Sequence, residues 1–190
     1  MMRRDECLSV LAKWRGSAAV IAAYSAAFDW ARVSPSPLNF AAVGAMGQAS
    51  SHGLGMALGM PERKFIVLDG DGSLLMNLGC LVTNADAAPE NLVHFVFENG
   101  CYEANGSHPI PGQNRVNFAG FARAAGYPAV FEFDVLDDFA AHLPGVLEAK
   151  GPVFATLRVV AGASSKLDYR AIKSREARHS FTVALREAIT

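Results

Sequence analysis

The chain has 190 residues, a length typical of a single domain that can bury a substantial hydrophobic core. Hydrophobic residues make up 51% of it and charged residues 18%, a balance that excludes an intrinsically disordered protein. The formal net charge of −1 gives no indication of a nucleic-acid partner or of an anionic membrane surface. We therefore expect one globular domain over residues 1–190 that binds neither nucleic acid nor membrane.

The cysteines and the N-terminal segment exclude several other classes of protein. Cys7, Cys80 and Cys101 are odd in number and include no CxxC pair, which argues against a disulfide framework, an iron–sulfur cluster or a structural zinc site. Residues 1–14 are amphipathic and too polar for a signal peptide, and no apolar run approaches the roughly 18 residues of a membrane span. These features predict a cytoplasmic protein.

Helical and strand patterns alternate along the chain. In chain order, the sequence predicts a helix (5–15), a strand (17–23), a helix (24–33), a helix of small residues (47–59), a strand (64–68), a helix (73–87), a strand (91–97), a polar loop (99–114), a helix (118–125), a strand (129–133), a helix (137–149), a strand (153–160) and a basic helical tail from about residue 171. Such alternation implies right-handed crossovers and a parallel sheet covered on both faces. We therefore predict an α/β protein with three α/β/α layers and a mainly parallel sheet.

Polar turns follow two neighbouring strand predictions. The segment 70–73 (GDGS) comes directly after the strand 64–68, and the segment 98–100 (ENG) comes directly after the strand 91–97. Ligands of parallel sheets bind outside the carboxyl ends of the strands. If the two strands are neighbours in the sheet, their turns converge on one point.

The residues in these turns are suited to holding a metal and a phosphate. The Asp71 carboxylate and the Asn99 amide oxygen, with one backbone carbonyl, are hard oxygen ligands of the kind that Mg²⁺ prefers. Glycines on either side of Asp71 let the backbone approach a ligand closely. Ser73 is predicted at a helix N-terminus, where free N–H groups favour phosphate. The alternative is that both segments are ordinary turns, because Asp-Gly and Asn-Gly pairs are common there.

The GDG motif at 70–72, followed after about 26 residues by Glu98-Asn99, resembles the signature of thiamine-diphosphate enzymes. That signature has an Asn pair at this place, and Glu98 replaces its first Asn, which is not the metal ligand. The resemblance to their pyrophosphate-binding domain covers nearly the whole chain. The runs 44–59, 68–79 and 98–112 look like the β subunit of sulfopyruvate decarboxylases and the C-terminal part of phosphonopyruvate decarboxylases. The resemblance implies thiamine diphosphate and Mg²⁺ as cofactors.

The resemblance also implies a role for each matched residue. The Gly44 carbonyl would accept a hydrogen bond from the aminopyrimidine, and Met46 would be the apolar wedge that bends the cofactor. An ordinary core methionine is the alternative for Met46. Asp71, Asn99 and the backbone oxygen of Cys101 would bind the metal. The cofactor-binding residues that it implies are Gly44, Met46, Gly70, Asp71, Gly72, Ser73, Asn99, Cys101 and Tyr102.

The loop after the metal asparagine keeps the frame of that family and changes some of its polar residues. The family loop reads Asn-x-x-Tyr-x-Ser-Thr-Gly-x-Gln-Pro-Thr. Here Ala104-Asn105 stands for Ser-Thr, and His108 stands for Gln. His108 is the candidate catalytic residue, because an imidazole with a pKa near 6.5 can bind an anionic tail or carry a proton. The alternative is an exposed loop histidine. Ser25, after the first strand, is a further candidate for contact with the diphosphate.

The length of the chain bears on the mechanism. In the family, a glutamate on a separate pyrimidine-binding domain activates the cofactor, and 190 residues leave no room for that domain. We therefore expect a partner subunit that supplies the glutamate, in a heterotetramer or a larger assembly. The predicted function is decarboxylation of a small 2-oxo acid such as sulfopyruvate or phosphonopyruvate. The alternatives are a carboligase like acetolactate synthase, a 2-oxoacid oxidoreductase, and a non-catalytic cofactor-binding module.

Overall fold

A computed structural model of the chain describes residues 1–44, 46–162 and 169–187. The helices are α1 (Arg4–Ala12), α2 (Tyr24–Val33), α3 (Ala49–Gly59), α4 (Asp71–Leu75), α5 (Gly79–Ala87), α6 (Phe118–Ala125), α7 (Leu136–Glu148), α8 (Tyr169–Ile172) and α9 (Arg175–Glu187). The strands are β1 (Ala19–Ala23), β2 (Asn39–Ala42), β3 (Phe65–Gly70), β4 (Leu92–Glu98), β5 (Cys101–Tyr102), β6 (His108–Pro109), β7 (Ala129–Phe133) and β8 (Val153–Arg158). A short 3₁₀ turn covers Glu103–Asn105.

Six strands form one sheet in the order β2-β1-β3-β4-β8-β7, and every pairing in it is parallel. From β1 the chain moves outward to β2 and then returns to β3 on the other side of β1. Such a reversal opens a crevice at the carboxyl ends of the two strands that flank it. The strands β5 and β6 lie outside this sheet and form a small antiparallel hairpin.

The sheet lies between two layers of helices. Alternate residues of β3 enter opposite cores: Ile66 and Leu68 pack with α1, α2 and α7, and Phe65 and Val67 pack with α3 and α9. A further cluster on the second face holds α5 and α6 against β4 and β8. The small residues of α3 allow close approach, since a Cβ added to Gly53 would lie 2.5 Å from Val67 Cγ2. The three-layer prediction is thus confirmed.

The predicted helix 73–87 is wrong as one element, because it is two helices separated by a turn. The backbone N–H groups of Met76 and Asn77 bond the carbonyls three residues earlier, at 3.1 and 3.0 Å, which tightens the chain out of the α-helix. The Asn77 side chain donates to the Gly47 carbonyl at 3.0 Å. This tertiary bond fixes the turn between α4 and α5.

Two other parts of the fold were not predicted. The strand β2 has only four residues, lies at the edge of the sheet and follows two prolines, Pro35 and Pro37. The hairpin β5–β6 lies inside the predicted loop 99–114. The predicted tail contains α8 and α9 in its described part, and its last three residues, 188–190, lie outside the described residues. Across the ranges that the structure describes, no helix has both the length and the apolar character to cross a membrane.

Candidate cofactor and metal site

Asp71 joins the carboxyl ends of β3 and β4. It is the first residue of α4, directly after β3, and it is 1% exposed. Its Oδ2 accepts the backbone N–H groups of Asn99 at 3.0 Å and of Gly100 at 2.6 Å, and its Oδ1 accepts the N–H of Gly72 at 2.7 Å. The two polar turns of the sequence therefore meet at one carboxylate.

The Asp71 carboxylate is buried, and no cationic side chain among the described residues pairs with it. Burial raises its pKa to about 6, although the N–H bonds from Gly100, Gly72 and Asn99 oppose that rise. A buried carboxylate is costly when nothing balances its charge, and a divalent cation would balance it. The environment of Asp71 therefore fits a metal site.

Asn99 and Cys101 are brought to the same place by a tight turn. Gly100 between them has φ +75°, a left-handed conformation that favours glycine. The Asn99 side-chain oxygen accepts the N–H of Cys101 at 2.9 Å and keeps a second lone pair for another partner. Burial raises the pKa of the Cys101 thiol, so its side chain is a poor nucleophile at neutral pH. Among the described residues, no group of three His, Cys, Asp or Glu side chains could hold a metal. A metal here would rely on Asp71 together with amide, backbone and ligand oxygens.

A pocket opens beside Asp71, at the carboxyl ends of β1, β3 and β4. Eight of the nine predicted cofactor-binding residues line it: Met46, Gly70, Asp71, Gly72, Ser73, Asn99, Cys101 and Tyr102. The ninth, Gly44, donates its backbone N–H to the Tyr24 hydroxyl at 3.1 Å, and Tyr24 lines the pocket. Ser25 lines it as well. The crevice that the strand order creates is thus the place where the sequence motifs converge.

The segment that carries Gly44 and Met46 is fixed through Gly47. The Ser73 hydroxyl accepts the Gly47 N–H at 2.9 Å, so this side chain supports the segment across the pocket. Gly47 has φ +79°, and an added Cβ would lie 2.9 Å from Asn77 Cβ, so only glycine fits there. The sequence predicted Ser73 at a helix N-terminus. The helix begins two residues earlier, at Asp71, and Ser73 lies within its first turn.

Tyr102 closes the pocket over the GDG turn. Its ring lies so close to Gly72 that an added Cβ on this glycine would be 2.5 Å from Tyr102 Cδ1. The second glycine of the motif is therefore required by the aromatic ring from the loop after Asn99. This contact brings the hairpin β5–β6 against α4.

His108 does not line the pocket. It lies on β6 in the exposed part of the hairpin, where its ring is near Gly106. The lining residues that were not predicted from the sequence include Arg4, Tyr24 and Glu103. Tyr24 has φ +38°, a rare conformation for a residue with a side chain and one often found at functional sites. The sequence does not indicate a role for Arg4 in the pocket, because an arginine in an amphipathic N-terminal helix is expected to face solvent.

The geometry has a counterpart in a known protein family. A family model described as thiamine pyrophosphate enzyme, C-terminal TPP binding domain, matches residues 16–156. The chain belongs to this family. The matched range includes Asp71, Asn99 and most of the pocket, and the predicted family is confirmed.

Two of the proteins similar to this chain are named as decarboxylases. The chain is 39% identical over 143 residues to the phosphonopyruvate decarboxylase of Streptomyces hygroscopicus, covering 75% of this chain and 35% of that protein. It is 41% identical over 130 residues to the sulfopyruvate decarboxylase subunit beta of Methanothermobacter thermautotrophicus, covering 68% of this chain and 66% of that subunit. The chain thus spans about a third of the first relative.

A solved structure shares the fold. The benzoylformate decarboxylase from Polynucleobacter necessarius superposes with a TM-score of 0.68 at 18% sequence identity, over 85% of this chain and 33% of that one. At this identity the likeness concerns the fold alone. It agrees with the three-layer architecture of the sheet and its helices.

Proposed function

We propose that the chain is the cofactor-binding subunit of a thiamine-diphosphate-dependent 2-oxo acid decarboxylase of the sulfopyruvate or phosphonopyruvate type. One observation carries the proposal: Asp71 and Asn99 converge at the pocket of a domain that belongs to the thiamine pyrophosphate family. The names of the two relatives, phosphonopyruvate decarboxylase and sulfopyruvate decarboxylase subunit beta, supply the reaction class. The reaction is therefore loss of CO2 from a small 2-oxo acid with an anionic tail.

Mg²⁺ is the metal that the proposed site suits. Its protein ligands are the Asp71 carboxylate, the Asn99 amide oxygen and the backbone oxygen of Cys101. All three are hard oxygen donors, and Mg²⁺ usually takes the rest of its six ligands from phosphate and water. The buried carboxylate of Asp71 has no cationic partner among the described residues, and Mg²⁺ would supply the positive charge that balances it.

The chain's own residues hold and orient the cofactor in this proposal. When bound, thiamine diphosphate supplies the electron sink for the loss of CO2 from the substrate. The Gly44 carbonyl and Met46 would hold its ring end, while the residues of the GDG turn, with Ser73, would hold its diphosphate end. Tyr102 covers the turn and keeps water away from it. His108, on the hairpin that follows, is the proposed group for proton transfer or for binding the anionic tail.

The acidic residues of the pocket support the need for a partner chain. Asp69, Asp71 and Glu103 are the acids among its described lining residues. Asp69 accepts the N–H of Gly70 and lies 3.5 Å from His94 Nε2, and Glu103 is paired with Arg4. Each is thus engaged within this chain. We propose that a separate pyrimidine-binding subunit supplies the activating glutamate, in a cytoplasmic heterotetramer or larger assembly.

Reconstitution tests the proposal. The chain would be co-expressed with a pyrimidine-binding chain from the same genome, and CO2 and aldehyde release would be measured with Mg²⁺ and thiamine diphosphate. Sulfopyruvate, phosphonopyruvate, pyruvate and benzoylformate form the substrate panel. We expect turnover of an anionic-tailed acid that depends on both subunits. The same assembly without thiamine diphosphate is the matched control.

The products separate the alternatives. Formation of acetolactate in place of an aldehyde would assign a carboligase, and turnover that needs an electron acceptor would assign an oxidoreductase. Bound cofactor without release of CO2 from any acid in the panel would refute the decarboxylase and favour a non-catalytic module.

A further inference from the structure

Arg4 is buried between two carboxylates that come from distant parts of the chain. Its Nε donates to Asp29 Oδ2 at 2.8 Å, and its Nη1 donates to Glu103 Oε2. The side chains of Arg4, Asp29 and Glu103 are 8%, 6% and 7% exposed. Arg4 lies on α1, Asp29 on α2, and Glu103 on the 3₁₀ turn after Tyr102. One guanidinium thus joins three elements at the wall of the cofactor pocket.

The charges in this cluster keep Arg4 protonated and Glu103 fixed. Burial alone would lower the pKa of the Arg4 guanidinium, but the charge and hydrogen bonds of Glu103 and Asp29 outweigh it and raise that pKa. The second oxygen of Glu103 accepts the backbone N–H of Gly162 at 3.0 Å. Both carboxylate oxygens of Glu103 are therefore engaged. Breaking a buried pair from one side leaves an uncompensated charge, which is strongly unfavourable.

The Glu103 turn is the continuation of the segment proposed to bind the metal. Cys101, whose backbone oxygen is a proposed ligand, lies two residues before Glu103, and Tyr102 packs on Gly72 between them. The residues from 104 to 109 are exposed. Within the described ranges, the Arg4–Glu103 contact is the one ion pair that reaches the segment 101–109. The packing of Tyr102, this ion pair and the bond from the Gly162 N–H to Glu103 thus fix the segment from outside.

We propose that Arg4 is a positioning residue for the cofactor site. Its guanidinium holds the turn 103–105 against α1 and α2, and this keeps Tyr102 and the Cys101 backbone oxygen in place at the pocket. The N-terminal helix α1 thus contributes to the geometry of the site through Arg4. The statement about metal and cofactor affinity rests on the proposed function, whereas the statement about the turn does not.

Amide hydrogen exchange in the full chain without cofactor tests the hold on the turn. The backbone N–H of Ser107 donates to the Tyr102 carbonyl at 2.9 Å and that of Gly106 to the Glu103 carbonyl at 3.3 Å, so their exchange reports on the turn. In Arg4→Met we expect both amides to exchange about tenfold faster, with the amides of β4 unchanged, because only the local opening becomes easier.

One further variant and one control keep this test decisive. Glu103→Gln breaks the pair from the other side and preserves side-chain size, so it should give the same pattern even where Arg4→Met fails to fold. Arg3→Met removes a neighbouring arginine whose pair with Asp5 is exposed, and it should leave the exchange of Gly106 unchanged. Unchanged exchange at the turn, or equal acceleration at the turn and in β4, would overturn the proposal.

Cofactor affinity tests the consequence for the site. In a calorimetric titration of the assembled protein with thiamine diphosphate at fixed Mg²⁺, the affinity for the cofactor should be about 10- to 100-fold weaker in Arg4→Met. Arg4→Lys keeps the positive charge but cannot donate to Asp29 and Glu103 from a planar guanidinium, so its loss of cofactor affinity should be smaller. The Mg²⁺ concentration for half-saturation should rise in the same order, and Arg3→Met should match the unmodified protein.

The outcomes separate the two proposals. A loosened turn with unchanged cofactor and Mg²⁺ affinity would overturn the positioning role of Arg4 while leaving the proposed function intact. Absence of thiamine diphosphate binding in the unmodified assembly would refute the proposed function. In that case the exchange of Gly106 and Ser107 would still decide whether Arg4 holds the turn.

Discussion

The Ser73 hydroxyl accepts the backbone N–H of Gly47 at 2.9 Å. This bond joins α4, which begins with Asp71, to the segment that carries Gly44 and Met46. Because the Gly47 carbonyl also accepts from Asn77 at 3.0 Å, both polar groups of this glycine are satisfied by the helix and the turn after it. The two sides of the pocket are fixed to each other at a single residue.

Replacing Ser73 by alanine should therefore destabilise the protein. The change leaves the buried N–H of Gly47 without an acceptor, and we expect the free energy of unfolding to fall by about 1–3 kcal/mol. Urea denaturation measures it. Ser9→Ala is the control, because the Ser9 hydroxyl is exposed and donates to the Asp5 carbonyl at 2.7 Å. Equal losses in the two variants would contradict the role of the Ser73–Gly47 bond.

Gly72→Ala tests the contact with Tyr102. The new Cβ would lie 2.5 Å from Tyr102 Cδ1, so the ring must move, and we expect a loss of about 1–3 kcal/mol in the free energy of unfolding. Gly70→Ala is the matched control, since no atom lies within 4 Å of its added Cβ. In a Tyr102→Leu background the loss from Gly72→Ala should shrink. Additive effects of the two changes would show that this contact does not cause the loss.

The three cysteine thiols should react slowly in the folded protein. All are buried, and burial raises the pKa of Cys7 to about 12 and also raises the pKa values of Cys80 and Cys101. Since the thiolate is the reactive form, modification by Ellman's reagent at about pH 8 should be slow until the chain is unfolded. Its rate should keep rising above about pH 9, past the pKa of a free thiol. One rapidly modified thiol per folded chain would contradict this.

The buried phenol of Tyr127 should make stability fall at high pH. Burial raises its pKa above the ordinary value, and Asn84 Nδ2 donates to its oxygen at 3.1 Å. Above about pH 10 the unfolded chain loses this proton while the folded chain keeps it, so the free energy of unfolding decreases as pH rises. Denaturation of Tyr127→Phe should have a shallower decrease between about pH 9 and 11. The same slope in both proteins would contradict this origin.

Local patterns explain why much of the sheet could be predicted. The apolar runs that became β3 and β4 are each of strand length and each end in a Gly-containing turn, so their position and the convergence of Asp71 and Asn99 followed from the sequence. The helices α2 and α6 and the strand β7 have the predicted bounds. In these segments, apolar spacing and turn residues point to the same structure.

The parts that were not predicted depend on contacts between distant residues. The break between α4 and α5 coincides with the bond from Asn77 to Gly47, which no local pattern records. The Arg4–Glu103 pair joins residues 99 positions apart. The strand β2 is too short for its residues to show a period, and it is held by pairing with β1. The two turns of the site follow local sequence patterns, whereas the side chains that support them depend on contacts between distant residues.

The central claim is that Asp71 and Asn99 bind the metal. The most direct test is the affinity of the assembled protein for thiamine diphosphate, measured by calorimetry with Mg²⁺ and with EDTA. We predict that binding requires Mg²⁺ and that Asp71→Asn and Asn99→Ala each weaken it by more than about 100-fold, which exceeds the effect of losing a residue that only supports a metal ligand. Asp86→Asn, an exposed carboxylate on α5, should leave the affinity unchanged. Affinity unchanged in Asp71→Asn and Asn99→Ala would contradict the account.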